Sequence, residues 1–258
     1  MDRKYFFFDY DGTLARYFTR EIPESTREAL RLLEEQGHFV ALNTGRLQCN
    51  ALDYIESVGI RNIVADGGYS VTVDGELLWM RPLDIEPVRA CCRRLDAAGI
   101  PWAVTTKNEL KRYSNNPHFA TIAGDYYVPT IYDPRLTIDD LTCAYKLYIP
   151  CALDKVQEIA DRGLLDGVPW ITYKSCTIFV EPLSKDTGIR YLMERLGAPL
   201  KDVVVFGDDK NDLSMFCPEW TNIAMGNAID ALKERATYVT DDVDHDGIYK
   251  ACKHFNWI

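Results

Sequence analysis

The apolar run Phe6-Phe7-Phe8 breaks off at Asp9-Tyr10-Asp11-Gly12-Thr13. A run that is apolar at every position suits a strand covered on both faces, as in a parallel sheet flanked by helices. Such sheets bind ligands beyond the carboxyl ends of their strands. This run points to an α/β fold and sets two carboxylates, Asp9 and Asp11, at the edge where such a fold does its chemistry. Taken alone, the pair is equally compatible with an Asp-Gly turn.

The neighbouring sequence repeats the pattern. A strand over Tyr5–Asp9 is followed by an amphipathic helix over Pro23–Gln36, closed by Gly37, and by a second buried strand over Phe39–Leu42. A helix over Ala51–Val58, a strand over Asn62–Ala65 and a hairpin of Val71–Val73 and Leu77–Trp79 about Asp74-Gly75 come next. This βαβαβ rhythm predicts a Rossmann-like parallel sheet with helices on its faces. The texture changes near Arg81-Pro82. A helix over Ile85–Ala98 and strands over Trp102–Thr106 and Arg112–Ser114 lead into a loop-rich stretch containing Asn116-Pro117, Val128-Pro129 and Asp133-Pro134. A strand over Ala144–Ile149, a helix over Leu153–Leu164 and strands over Trp170–Tyr173 and Thr177–Val180 follow. Adjacent strands predict an antiparallel α+β module. The α/β texture returns after Pro182, with a helix over Asp186–Leu196, a strand over Asp202–Phe206, a helix near Asp212 and short strands at Asn222–Ala224 and Tyr238–Val239. The expected organisation is a core of residues 1–82 and 183–258 interrupted by an inserted domain, 83–182.

Composition narrows the partners. The formal net charge of −10 argues against a nucleic-acid surface, which needs basic patches. The apolar runs are too short to span a membrane, and Arg3-Lys4 precedes a run broken at once by acids, unlike a secretory signal. The expected compartment is the cytoplasm. None of the eight cysteines lies at a C-x-x-C spacing, so reduced thiols are expected in place of a zinc or redox motif. An anionic substrate would need local positive charge, from a metal, a lysine or helix N-termini.

Four polar clusters follow or adjoin the core elements. Asp9 and Asp11 provide a nucleophile and a group for acid/base work. Thr44-Gly45-Arg46, after the second strand, offers a hydroxyl and flexible backbone for phosphate oxygens, or a plain cap for the next helix. Lys185, at a helix start, could balance a phosphoryl group; alone it reads as an ordinary surface lysine. Gly207-Asp208-Asp209-Lys210-Asn211-Asp212 packs three acids and an amide into five positions, a hard-oxygen set that suits Mg²⁺; the competing reading is a solvated helix start. Converging on one cleft, the four clusters contain the parts of a phosphoryl-transfer site.

In this order the motifs resemble those of the haloacid dehalogenase superfamily: Asp9-x-Asp11-Gly12-Thr13, Thr44-Gly45-Arg46, Lys185 and Gly207-Asp208-Asp209-x-Asn211-Asp212. The insertion resembles the type IIB cap by length, position and element order. Ala224-Met225-Gly226-Asn227-Ala228, Ala236-Thr237-Tyr238-Val239-Thr240 and Asp246-Gly247 are similar to the Cof-type sugar-phosphatase branch. The resemblance implies that Asp9 forms an aspartyl-phosphate and Asp11 serves as acid, then base. It implies that Thr44, Arg46, Asn211 and backbone amides near Tyr10 and Gly45 bind phosphate or substrate, with Lys185 orienting Asp9. It implies Mg²⁺ held by Asp9, the Asp11 carbonyl and Asp208, with Asp212 or Asp209 in support. Two positions depart from the branch: Asp209 stands where glycine is frequent, and Asp66 in Ala65-Asp66-Gly67-Gly68 where an amide is usual. The first adds charge near the metal, and the second puts polar contacts to the leaving group in question.

The substrate implied is a small phosphorylated metabolite, selected by the insertion. His118, Lys107, Arg112, Tyr145, Lys146 and Tyr173 are candidate readers. Aromatic residues there, Tyr126 and Tyr127 among them, leave sugar phosphates and flat-ring phosphates both open. The rival readings are a phosphomutase, which shares the aspartyl-phosphate step, and a non-catalytic phosphate-binding regulator. Oligomeric state is not legible.

Overall fold

The computed structural model describes residues 2–124, 128–173 and 176–258; Tyr126 and Tyr127 lie outside the described residues. The chain forms two compact units, Met1–Met80 with Ser184–Ile258, and Arg81–Leu183. The first begins with β1 (Tyr5–Phe8), α1 (Glu24–Glu35), β2 (Phe39–Asn43), α2 (Gln48–Val58), β3 (Asn62–Ala65), β4 (Ser70–Val73) and β5 (Glu76–Met80). The second contains α3 (Ile85–Ala97), β6 (Ala103–Thr105), β7 (Arg112–Ser114), α4 (Phe119–Ala123), β8 (Thr130–Tyr132), β9 (Lys146–Pro150), α5 (Val156–Asp161), β10 (Trp170–Thr172) and β11 (Thr177–Val180). The first unit resumes with α6 (Lys185–Leu196), β12 (Val203–Gly207), β13 (Thr221–Ala224), α7 (Asp230–Lys233), β14 (Tyr238–Val239) and α8 (Gly247–His254).

The core sheet runs β14-β13-β12-β1-β2-β3-β4-β5. It is parallel from β14 to β3, and the β3-β4-β5 edge is antiparallel. The reason β1 is apolar throughout is visible in its packing. Phe6 and Phe8 join Leu30 and Leu33 of α1 and Ile248 and Cys252 of α8 on one face, while Phe7 joins Ile189, Leu192 and Met193 of α6 on the other. All three phenylalanines are fully buried. Strand register sets the polar residues beyond them: Phe8 lies opposite Leu42 of β2 and Phe206 of β12. The next residues, Asp9, Asn43 and Gly207, therefore end their strands side by side.

The inserted unit has its own sheet, β10-β11-β9-β6-β7-β8, with a core of Val88, Leu95, Trp102, Leu147, Ile178 and Val180. Its expected antiparallel character holds except between β7 and β8, which pair in parallel. The stretch expected to be loop-rich also contributes α4 and β8. The helix expected over Leu153–Leu164 is a 3-10 turn, Leu153–Lys155, followed by the short α5; Gly163, at φ 68°, cannot continue it. Near Asp212 a 3-10 turn, Lys210–Met215, replaces the expected α-helix. Among the described residues no helix is long and apolar enough to cross a membrane.

Candidate active site

The acids of the last motif are turned inward by the local backbone. Asp209 caps the 3-10 turn, its side chain accepting from the Lys210 amide at 2.7 Å. Asp212 reaches back along the same turn, and its Oδ2 accepts the amides of Asp208 at 2.9 Å and Asp209 at 3.1 Å. Its Oδ1 accepts from Lys185 Nζ at 2.6 Å, and the same ammonium donates to Asp9 Oδ1 at 2.5 Å. Lys185 is only 1% exposed, so the surface-lysine reading does not apply.

Two glycines make this convergence possible. A Cβ at Gly12, where φ is +88°, would lie 2.3 Å from Asp208 Oδ2. Its absence lets Asp208 close on the loop after β1, where Thr13 Oγ1 donates to Asp208 Oδ1 at 2.9 Å. A Cβ at Gly68, where φ is +103°, would sit 1.9 Å from the Ser184 carbonyl oxygen. The bare backbone there lets Ser184 donate to Gly67 O at 3.1 Å. Lys185 is then held by its amide on Ser214 Oγ at 3.0 Å and by Asn43 Nδ2 on its carbonyl at 3.3 Å.

One carboxylate oxygen from each of Asp9, Asp208 and Asp212 lies within 4.8 Å of the others, and all three residues are buried. Burial pushes Asp9 up to about 7, with the Asp212 charge adding to it and Lys185 pulling it back. Burial, then Asp9 and Asp212, push Asp208 up to about 9. Burial alone would lower Lys185, but Asp212 and Asp9 hold it above its ordinary value. Three carboxylates share one ammonium, so the fully ionised cluster is short of positive charge. A buried, all-oxygen, negatively unbalanced set fits a hard divalent cation.

The remaining candidates fall around this cluster. Asp11 turns its carboxylate to Arg46, with Nη2 at 2.6 Å from Oδ2. Thr44 is buried, and its hydroxyl accepts the Arg46 amide at 3.2 Å; the first amide of α2, Gln48, is instead accepted by Asp66 Oδ2 at 3.1 Å. Asp66 also accepts from Ser70 Oγ at 2.7 Å, so it braces the loop after β3. Asp209 Oδ2 accepts the Tyr17 hydroxyl at 3.1 Å, and Asp209 stands outside the group of three. Tyr10 is buried, while Gly45 and Asn211 are half-buried. Sequence reasoning missed Tyr17 and gave no site role to Asn227, read only within the tail motif, whose Nδ2 donates to Gly12 O at 2.9 Å and reaches Asp208 Oδ2 at 3.4 Å. Neither contact carries a local signal, because each joins segments far apart in the chain.

In the inserted unit, Lys146 pairs with Glu181 at 2.5 Å, and the Tyr173 hydroxyl donates to Glu181 Oε1 at 2.5 Å. Arg112 is buried, donates to Thr130 Oγ1 at 2.8 Å and lies over Phe119 and Tyr148. Lys107 and His118 are exposed and Tyr145 half-buried. Of the six candidate readers, only Lys146 and Tyr173 are brought together by these contacts. Glu181 was the missed member, a lone acid ending an apolar strand.

The profile of the haloacid dehalogenase-like hydrolases matches residues 6–252. The chain belongs to that family. It is an enzyme of the family's phosphatase kind. It is 32% identical to "Putative phosphatase YkrA" of Bacillus subtilis, over 98% of each chain. It is 23% identical to the 5-amino-6-(5-phospho-D-ribitylamino)uracil phosphatase YcsE of the same organism, over 99% of this chain and 96% of the other. Among solved structures it resembles the subclass IIB sugar phosphatase BT4131, with 26% identity, a TM-score of 0.79 and coverage of 99% of this chain and 100% of that one.

Proposed function

We propose that the protein is a Mg²⁺-dependent phosphatase that hydrolyses small phosphomonoesters through a phosphoryl group carried on Asp9. The observation that supports this most directly is the buried Lys185 ammonium on Asp9 Oδ1, 2.5 Å away, beside two further carboxylates. In the first half-reaction an Asp9 oxygen attacks phosphorus and the bond to the ester oxygen breaks. Asp11 gives that oxygen its proton, so the leaving group departs as an alcohol. In the second half-reaction Asp11 takes a proton from water, the resulting hydroxide attacks phosphorus, and the bond to Asp9 breaks. Inorganic phosphate is released and both aspartates return to their starting states.

Lys185 fixes one Asp9 oxygen and neutralises charge gathering on the phosphoryl group. Thr44, the amides of Tyr10 and Gly45 and the Asn211 side chain hold the phosphoryl oxygens, and Arg46 pairs with Asp11. When bound by Asp9, the Asp11 carbonyl and Asp208, with Asp212 behind them, Mg²⁺ supplies charge neutralisation at the phosphoryl oxygens. Substrates of the sugar-phosphate class are favoured by the likeness to BT4131, and polyol phosphates bearing a flat ring by the likeness to YcsE.

The test is Asp9→Asn, which keeps shape and removes the nucleophile. Phosphate release from a panel of phosphorylated metabolites with added Mg²⁺ is expected to fall by about a thousandfold or more while the thermal transition is retained. Turnover within a few-fold of the parent would rule the mechanism out.

A further inference from the structure

The contact between Arg46 and Asp11 is itself supported. The Arg46 guanidinium lies over the ring of Tyr54, 4.2 Å from its centroid, and 5.7 Å from that of Tyr10. The two rings meet edge to face at 4.8 Å and 77°. The Tyr54 hydroxyl in turn accepts from Arg20 Nη1 at 3.2 Å. A guanidinium stacked on an aromatic face keeps its N–H edge available for in-plane bonding, and that edge meets Asp11 Oδ2 at 2.6 Å. Asp11 is half-buried in the turn just after β1, so its carboxylate depends on such a partner for a fixed direction.

We infer that Tyr54 is a positioning residue for the proton transfer at Asp11: by stacking on Arg46 it fixes the guanidinium that aims the Asp11 carboxylate. The inference rests on the phosphatase reading above and adds to it a residue that touches neither phosphate nor metal. A chain of three side chains, from α2 to the loop after β2 to the loop after β1, holds the proton carrier in line. Proton transfer is steep in distance, so a loosened carboxylate loses rate without losing phosphate binding.

The chemistry of the leaving group separates this role from a structural one. An alkoxide needs a proton as it departs, whereas para-nitrophenolate leaves without one. The quantity kcat/KM covers only the steps up to the first irreversible one, the transfer to Asp9. Wild type, Tyr54→Phe, Tyr54→Leu, Arg46→Met and the double variant Tyr54→Leu/Arg46→Met are assayed with Mg²⁺. The substrates are para-nitrophenyl phosphate and the fastest of a hexose phosphate, a pentose phosphate and glycerol phosphate. Tyr54→Leu is expected to lower kcat/KM for the alkyl ester about tenfold and to leave the aryl ester within about twofold. Tyr54→Phe, which keeps the ring, is expected to stay near wild type on both. The double variant is expected to be no worse than Arg46→Met alone, because Tyr54 acts through Arg46. Should Tyr54→Leu not fold, Tyr54→Met, which keeps apolar bulk on α2 without the ring, is read by the same alkyl-to-aryl ratio and carries the decision. Parallel losses on both esters, as for a phosphate clamp, or no loss on either, overturn the inference. Wild type that releases phosphate from neither ester overturns the phosphatase reading itself.

Discussion

Each compact unit buries a lysine, and the two lysines keep different company. In the inserted unit Lys146, 3% exposed, meets Glu181, 1% exposed, and Tyr173 caps the other glutamate oxygen. One positive and one negative charge cancel there. In the core Lys185 meets Asp9 and Asp212, and Asp208 completes a group of three carboxylates. That cluster does not cancel. A balanced buried pair is an ordinary, if expensive, way to build a sheet. An unbalanced one raises the cost of folding, and a divalent cation would offset its excess negative charge. Imbalance, more than burial of charge as such, separates the core cluster from the inserted pair.

Paired substitutions break the comparison most forcefully. Lys185→Met is expected to abolish phosphate release, by about a thousandfold or more. Lys146→Met is expected to act on stability, costing about 3–5 kcal/mol in urea unfolding because Glu181 is left buried alone. Adding Glu181→Leu to Lys146→Met is expected to recover most of that loss, since an apolar pair replaces a balanced one. A double variant no more stable than Lys146→Met would mean that the inserted pair is not the self-contained unit it resembles.

A pH series sharpens the contrast. Asp9 and Asp208 rise from an ordinary 3.8 to about 7 and about 9 in the metal-free fold. Between those limits the native state binds more protons than the unfolded chain, so stability falls as pH rises from about 4 towards 9. Saturating Mg²⁺ favours the ionised carboxylates and is expected to flatten that fall, and Asp208→Asn to flatten it without metal. Thermal transitions recorded across pH, in chelator and in Mg²⁺, check this; equal slopes in both would remove the core cluster from consideration as a cation site.

The smallest effect belongs to a core acid outside the cluster. Asp66 accepts the first amide of α2 and the Ser70 hydroxyl. Asp66→Ala is expected to cost about 1–2 kcal/mol of stability and to leave turnover within about twofold. A selective loss of activity without loss of stability would return Asp66 to the substrate.

Legibility in the sequence tracks locality. Uninterrupted apolar runs ending in polar residues place Asp9, Thr44 and Asp208 at or just beyond strand ends, because strand, turn and motif lie within a few residues of one another. The parallel register of β1, β2 and β12 then sets those ends side by side. The pairing of Asp11 with Arg46, of Tyr17 with Asp209, and of Lys146 with Glu181 was not readable. Each depends on which way a side chain turns after distant segments have met, and no local period encodes that. Asp212 shows both halves. Its place in the last motif was plain, but its division between a lysine and two backbone amides emerges only from the tight 3-10 turn.

The close approach at Gly68 has a bearing on how such a protein could be rebuilt. The chain leaves the core at Met80 and re-enters at Ser184, where the backbone is seized at once by Gly67, Ser214 and Asn43, all of them core residues. Lys185 is thus registered by the socket that receives it, and each of these contacts is made within the core unit. A different insertion, ligated between the same two seams, would inherit a lysine already aimed, so the insertion could be exchanged like a tool head while the drive stays fixed.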